Sequence, residues 1–592
     1  MKRTAHLVQI NDVIGNNVIL PLAIGVLWQS AMGSQHNADH WQLGQVIYKK
    51  LESNDQIHEL AQADLIAFSH YVWNSNYQFD LAKKIKLINP NIVVLVGGPN
   101  ISANKQDFWD EHGSYVDVAL VGEGEHSFSS VLECYPDVAT VPGIWTKEIY
   151  NGEAERIQKF EHTHSPYLSG FYDSIVTKEK QLGRVIQAVI QTNRGCPYHC
   201  TFCEEGRDYK NKMFFYGQSR VFDEVEWCAK NGVEYLTIGD DNWGIVDIDV
   251  EVMRWIRDCK LKYGYPDIVD ATYAKNKPEN LLAMAELDQE HDTRLIRGIT
   301  IALQSMNTPT LNSIKRFNLV PEKQQQLIRG LNKLRMPTYT EMIWPLPYET
   351  YETFLAGIDG TIKIGLTNWL GVYPLSLHHG TDLYEDFHTN FNTIQQHSEN
   401  AAISDIKEVV NIVNYSDWVD NDTLVQGQVF YAWFVCLYYL GFARNCLSQQ
   451  QSITKTVDQF IKYVSTTPDA NCHQYWKLMT EWWKNWSNGI PTPNLSRFDQ
   501  HDTNNWSPYT HLASWLQNDL DGLYQDLTRF GLDVGSDLHG VVRYNQTYPY
   551  TTADNRQINI DHVQPKFADE FEFCRFYYWW RRKRGYSRTT VC

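Results

Sequence analysis

The sequence predicts an α/β protein in three parts. These are an N-terminal doubly wound domain of flavodoxin or Rossmann type (1–160), a partial (β/α)6 barrel of TIM type (183–395), and a mostly helical C-terminal region (396–592). Three observations predict it. Short apolar runs alternate with helical patterns along the first 160 residues, as in a parallel sheet with helices on its faces. Six further β/α units fall within about 200 residues, which suggests a parallel barrel. Beyond residue 396 the pattern turns helical and aromatic, densest at Tyr475-Trp476, at Trp482-Trp483 with Trp486, and over 576–580.

The elements follow in order. Residues 6–10 read as a strand, 12–17 as a turn-rich loop, and 18–32 as a helix with Pro21 in its first turn, where proline is tolerated. Strands are expected at 64–70, 92–96 and 116–121, with helices at 77–88 and from about 126. Gly97-Gly98-Pro99 and Gly122-Glu123-Gly124-Glu125 end the last two strands, and such sheets take their ligands at those ends. The polar stretch 151–182, with Gly152, Pro166 and Gly170, reads as connecting chain, which leaves a linker at 161–182. The second block has strands at 184–191, 235–238, 268–273, 299–303, 339–343 and 369–375. Helices at 219–230, 250–262 and 322–334 lie between them.

Composition narrows the class. Apolar residues make up 43% of the 592 and charged residues 21%, as in a soluble globular protein. A net charge of −18 argues against broad attraction to nucleic acid or an anionic membrane. The basic run Arg581-Arg582-Lys583-Arg584 reads as a solvated end. Polar His6, Gln9, Asn11 and Asp12 interrupt any signal-like core, and the best apolar run, 429–442, is too short to span a bilayer. The 11 cysteines are odd in number and irregular in spacing, which suits a reducing, cytoplasmic compartment.

Three cysteines cluster, in Asn193-Arg194-Gly195-Cys196-Pro197-Tyr198-His199-Cys200-Thr201-Phe202-Cys203, directly after a predicted strand. Three thiolates on one loop can ligate three irons of a 4Fe–4S cluster and leave the fourth iron without a protein ligand. A zinc site built from the same thiols and His199 is the competing reading. Structural zinc usually takes two separated ligand pairs, and no second pair lies nearby in sequence. The other cysteines, 134, 228, 259, 436, 446, 472, 574 and 592, are scattered and read as core packing.

This Cys-x3-Cys-x2-Cys loop resembles that of the radical S-adenosylmethionine family, and the resemblance extends over 185–385. It implies an open iron that chelates the methionine end of S-adenosylmethionine, with Phe202 against the adenine. Ile238-Gly239-Asp240-Asp241-Asn242 resembles the segment that contacts the methionine amino group, and its Asp-Asp-Asn form that of the cobalamin-dependent branch. Lys275 and Asn276 fall where ribose contacts are expected. Ile301-Ala302-Leu303-Gln304-Ser305, followed by 312–316, resembles a further cofactor-contacting strand. Trp344-Pro345-Leu346-Pro347-Tyr348-Glu349-Thr350 resembles the family's fifth-strand segment but puts Trp344 and Tyr348 where glycines are usual.

The N-terminal block resembles the cobalamin-binding domain of that branch. The carrying residues are Leu20-Pro21-Leu22-Ala23-Ile24-Gly25, Ala67-Phe68-Ser69-His70-Tyr71-Val72-Trp73-Asn74, Val96-Gly97-Gly98-Pro99-Asn100-Ile101-Ser102 and Val121-Gly122-Glu123-Gly124-Glu125. Ser165-Pro166-Tyr167-Leu168-Ser169-Gly170 is similar to the joint between the two domains. The resemblance implies a corrinoid held by strand-end glycines and by Ser69, Tyr71, Trp73, Asn74, Pro99 and Ser102. A plain flavodoxin-like domain, or one for another nucleotide, is the alternative. No Asp-x-His-x-x-Gly signature is present, since Asp12-Val13-Ile14-Gly15 lacks the histidine, and His70 reads as structural.

The implied activity is methylation of an unactivated carbon of a small, natural-product-like molecule, with an electron donor such as flavodoxin or ferredoxin. Radical cyclisation, rearrangement or ring contraction with the same cofactors is one alternative. A non-catalytic metal-binding module is another. The aromatic C-terminal region reads as packed helical core, with a cover over the site as the second reading.

Overall fold

The structure is a computed structural model that describes residues 2–11, 16–102, 107–160, 163–291, 293–366, 369–378, 380–397 and 408–490. Beyond those it describes 509, 512–513, 515–516 and 519–534. Residues 12–15 of the loop expected at 12–17, the aromatic run at 576–580, the basic run at 581–584, Cys574 and Cys592 lie outside the described residues. The chain divides into two compact units. One comprises 1–297 with 378–385 and 403–410, and the other comprises 298–377, 386–402 and 411–592.

The first unit holds two main sheets and one antiparallel pair, β9-β10, built from β1 (Arg3–Val8), β2 (Asn17–Ile19), β3 (Trp41–Ile47), β4 (Leu65–Ser69), β5 (Val93–Gly97), β6 (Val118–Leu120), β7 (Ile144–Trp145), β8 (Val185–Ile190), β9 (Asn193–Arg194), β10 (Phe214–Phe215), β11 (Tyr235–Trp243) and β12 (Ile268–Tyr273). The first sheet runs β3-β1-β4-β5-β6-β7, parallel except for β7. Without the antiparallel edge this is the flavodoxin-like order, whose ligands sit where the strand order reverses, beside the ends of β1 and β4. β4 and β5 are continuous apolar runs because helices cover both faces. Ile66, Phe68, Val94 and Val96 are buried with Phe79 and Ile85 of helix Ser75–Ile88.

Two features differ from expectation. The helix predicted from residue 18 starts at Leu22, and Asn17–Ile19 is instead a strand paired with β8. Pro21 explains this, since proline disfavours helical geometry in the residue before it. Strand β3, for which no element was expected, pairs with β1. Its Gln42, Gly44 and Gln45 break the apolar signal, yet Gly44 is needed, because a Cβ there would lie 2.2 Å from His6 Nδ1. Gln45 N–H donates to that same nitrogen at 2.7 Å.

The second sheet runs β12-β11-β8-β2, all parallel. The stretch read as connecting chain packs tightly. It carries helix Asp173–Gln181, and both Tyr167 and Tyr172 are fully buried. Tyr172 Oη donates to Pro21 O at 3.1 Å, and Tyr167 Oη to Val189 O at 2.5 Å.

In the second unit, β13 (Ile299–Thr300), β14 (Thr338–Trp344) and β15 (Trp369–Pro374) form a parallel three-stranded sheet. β13 is shorter than expected. Past it, pairing with β14 resumes only as an isolated bridge between Gln304, at φ +66°, and Met342. Strands β16 (Phe391–His397) and β17 (Val409–Ser416) form a two-stranded sheet, β16 at the end of the stretch expected to be barrel and β17 within the region expected to be mostly helical. Helices Asn421–Phe434, Ile453–Thr466, His473–Ser487 and Leu520–Phe530 follow. The apolar run near 429 is a buried helix as expected, continued by a π-helical turn, Val435–Tyr439. Trp433, Phe434, Phe460, Trp482 and Trp483 share one core with Trp344 and Phe354. Trp344, which stands where the radical family uses glycine, is thus a core side chain, stacked on Phe354 at 4.6 Å. Among the described residues no helix is long and apolar enough to cross a membrane.

Candidate active site

A cavity of about 740 Å³ lies within the first unit, at the carboxyl ends of its parallel strands. Gln9 and Asn11 beyond β1, Ser69, Tyr71 and Trp73 beyond β4, and Gly97, Gly98, Pro99 and Ser102 beyond β5 line one side. Gly122, Glu123 and Gly124 beyond β6 continue that wall. Gln187, Gln191, Arg194, Gly195, Glu204, Glu205, Lys210, Gly239 and Asp241 line the other. Tyr71 and Trp73 stack face to face, with centroids 4.5 Å apart and planes at 13°. They present a flat aromatic surface to the cavity. Gly98 adopts φ +104°, and a Cβ there would lie 2.6 Å from His70 O, so the turn requires glycine.

Not every residue singled out from the sequence faces this space. Asn74 is buried behind the wall; its Oδ1 accepts from Tyr71 N–H at 2.7 Å and its Nδ2 donates to Ile10 O at 2.8 Å. Glu123 does line the wall, but its carboxylate is engaged by protein: it accepts from Ile157 N–H at 2.6 Å and pairs with Arg156 at 3.3 Å. His70 is structural, as expected. It is fully buried, bonded to Ser75 Oγ at 3.1 Å, and burial lowers its pKa to about 3.

The cysteine loop leaves β9 at Gly195, where φ is +106° and a Cβ would lie 2.2 Å from Lys212 O. Cys196 and Cys200 are buried and Cys203 is half-buried. Burial pushes the Cys196 thiol up to about 11 and the Cys203 thiol up to about 12. Among the described residues, no three His, Cys, Asp or Glu side chains gather closely enough to share one metal ion. A cluster makes a different demand, since each thiolate bonds a separate iron. His199, the candidate fourth zinc ligand, faces Asp208, Nδ1 to Oδ1 3.4 Å.

The end of β11 divides by strand alternation. Gly239 and Asp241 face the cavity, while Asp240 and Asn242 face the root of the cysteine loop. Asn242 Nδ2 donates to Cys196 Sγ at 2.9 Å. Asp240 accepts from Thr192 N–H (2.8 Å), Asn193 N–H (3.3 Å), Asn193 Nδ2 (2.9 Å) and the Thr192 hydroxyl. Burial nevertheless raises Asp240 to about 7. Asp241 is also pushed up, first by burial and then by the Glu205 carboxylate, while Lys210 opposes the shift. Lys210 Nζ lies 2.7 Å from Glu205. Phe202 is half-buried, and Lys275 is buried beyond β12.

Gln304, Ser305 and Pro345 belong to the second unit. Gln304 N–H donates to Glu341 O at 2.8 Å, and among the described residues its buried Oε1 has no hydrogen-bond partner. The Ser305 hydroxyl donates to Glu349. Pro345 is buried and follows β14. Sequence reasoning missed Arg156, Glu205, Lys210 and the carboxamides Gln9, Gln187 and Gln191. Only Glu205 carried a local signal, through its place just after the third cysteine.

Residues 44–132 match the family profile of the B12 binding domain. Along most of its length the chain is similar to the cobalamin-dependent radical SAM methyltransferase TokK of Streptomyces tokunonensis, with 27% identity over 89% of this chain and 82% of that one. In its cysteine loop, its B12-binding segment and its relatives, the chain is similar to the cobalamin-dependent radical S-adenosylmethionine enzymes. A second relative is the 2-(S-pantetheinyl)-carbapenam-3-carboxylate methyltransferase of Streptantibioticus cattleyicolor, 31% identical over 62% of this chain and 54% of that one. In fold it resembles the cobalamin-dependent S-adenosylmethionine radical enzyme OxsB, with TM-score 0.55 and 13% identity over 99% of this chain and 85% of that one.

Proposed function

We propose that this enzyme methylates an unactivated carbon of a small molecule, using a 4Fe–4S cluster, S-adenosylmethionine and cobalamin. The observation that carries the reading is one cavity walled on one side by the strand ends of the B12-binding sheet and on the other by residues flanking the cysteine loop. When bound, the cofactors supply a carbon radical that removes hydrogen from substrate and a methyl group that replaces it.

The residues present fit these groups. Cys196, Cys200 and Cys203 hold the cluster through three irons, and Asn242, which donates to Cys196 Sγ at 2.9 Å, dampens charge on that sulfur. Asp241, at the cavity wall, and Asn242 beside it stand where a cationic amino group would be received. Phe202 offers an aromatic edge beside the third cysteine, and Gly239 lets backbone approach. Lys275, beyond β12, is a further strand-end residue of the first unit, and Gln304, Ser305 and Pro345 are the corresponding candidates in the second unit. The Tyr71–Trp73 stack and the glycine-edged turns at 97–98 and 122–124 accommodate a flat macrocycle, with Ser69 and Ser102 as hydroxyl partners for its tail. Asp240 and Asn74 act behind the wall by holding the turns in place. The walls also exclude water from a reactive radical.

The name of the second relative points to a first substrate class to assay, a bicyclic carboxylate bearing a pantetheinyl thioether. Anaerobic incubation with reductant, cobalamin, S-adenosylmethionine and such a compound is expected to yield a methylated product with 5′-deoxyadenosine and S-adenosylhomocysteine. A product of unchanged mass would instead favour rearrangement. Absence of 5′-deoxyadenosine would end the radical reading.

A further inference from the structure

The stretch before helix Asp173–Gln181 reads as polar connecting chain, yet it contributes one arginine at a structural crossing point. Arg156 Nη1 donates to Lys212 O at 2.6 Å and Nη2 donates to Arg194 O at 3.2 Å. Those two carbonyls bracket the loop that bears Cys196, Cys200 and Cys203. The third donor, Nε, reaches Glu123 Oε1 at 3.3 Å, on the turn that follows β6 of the corrinoid-type sheet. The guanidinium lies over the Phe214 ring, 5.0 Å to the centroid, and its side chain is only 9% exposed.

We propose that Arg156 is a positioning residue that clamps the base of the cysteine loop to the carboxyl end of the first sheet. A second point of attachment lies alongside. Glu125 Oε1 is 2.6 Å from Arg194 Nη1, with both side chains largely buried. Arg194 directly precedes Gly195 and sits over the rings of Phe160 and Tyr216. Glu123 and Glu125 therefore act between protein segments: they set how the cluster loop stands against the corrinoid-type turn.

The chemistry requires arginine. A planar fork with five donors can serve one carboxylate and two carbonyls at once, whereas an ammonium is a point charge on a flexible stem. Buried ion pairs contribute little net stability once desolvation is counted, so geometry is the stronger reason for this one. The catalytic consequence rests on the function proposed above, but the clamp itself does not.

The test uses the full chain with Arg156→Gln, Arg156→Lys and Glu123→Gln. Backbone hydrogen exchange on the cofactor-free protein is expected to accelerate about tenfold in residues 193–196 and 212–216 for Arg156→Gln, with exchange in β4 and β5 unchanged. Arg156→Lys should resemble Arg156→Gln, because lysine cannot bridge three acceptors. After reconstitution with iron, sulfide and hydroxocobalamin and reduction with dithionite, microwave power saturation of the cob(II)alamin signal should shift several-fold in the variants. That saturation reports the distance to the reduced cluster. Should Arg156→Gln fail to fold, the other two variants carry the same readings. Unchanged exchange in the folded variants, or unchanged saturation at equal cluster content, would overturn the clamp. Wild-type protein that makes no 5′-deoxyadenosine would instead overturn the proposed function and leave the exchange result standing.

Discussion

At the scale of single residues, the cysteine loop combines chemical need with local cost. Cluster ligation requires thiolates, yet burial holds Cys196 and Cys203 protonated to about pH 11 and 12. Loading the cluster therefore releases protons, and reconstitution is expected to run faster at pH 8.5 than at pH 7, measured by growth of the sulfur-to-iron absorption. Replacing any one of Cys196, Cys200 or Cys203 by alanine should abolish that absorption and 5′-deoxyadenosine formation while leaving corrinoid binding within a few-fold of wild type. Asp240 gives a second pH prediction. Its folded pKa is raised from 3.8 to about 7, so its stabilising effect is complete below about 4 and lost as pH rises through 7. Asp249, raised to about 6, acts in the same direction. The cofactor-free protein should thus gain up to about 2 kcal/mol from Asp240 on going from pH 7.5 to 5.5. Thermal melting of Asp240→Asn should show a flatter profile over that range. The cysteines were legible in the sequence because their spacing is local and chemically specific. Arg156 was not, since its partners lie 33, 38 and 56 residues away and a lone arginine in a polar stretch carries no pattern.

At the scale of elements, the sheets were legible wherever strands are apolar runs ended by glycine, as β4 and β5 are. Edges were harder to read. β3 mixes Gln and Gly into its run, and β2 is a three-residue strand that helical periodicity absorbs. Only the partner strand β8 gives β2 its identity, and single-sequence patterns carry no pairing. The chain from 161 to 182 looked like a joint because it is polar and rich in turn formers. Its two buried tyrosines show a second role, fastening Pro21 and β8 within the first unit. Tyr172→Phe removes one hydrogen bond and should cost about 1 kcal/mol, while Tyr172→Ala empties a filled core site and should cost about 3–5 kcal/mol. Urea unfolding of the two variants checks both values. An equal cost for both would mean that the hydroxyl, and not the ring, carries the packing.

At the scale of the whole molecule, fold class followed from alternation, and the cofactor set followed from the order of motifs along the chain. The cavity could not be read from sequence. Its two walls come from segments up to 232 positions apart, counted from Gln9 to Asp241. Strand alternation also decided which of the motif residues face it, so Asp241 does and Asp240 does not. The C-terminal aromatics were read as core; Trp433, Trp482 and Trp483 are core, Tyr475, Trp476 and Trp486 pack against it partly buried, and Tyr415 is exposed. The proposed reaction turns on an iron–sulfur cluster with one iron left open to S-adenosylmethionine. The most direct test is electron paramagnetic resonance of the dithionite-reduced, reconstituted protein with and without S-adenosylmethionine. A 4Fe–4S signal is expected that changes shape when S-adenosylmethionine is added and disappears in the Cys203→Ala protein. A spectrum indifferent to S-adenosylmethionine, or a purified protein that holds one zinc ion and no iron, would contradict it.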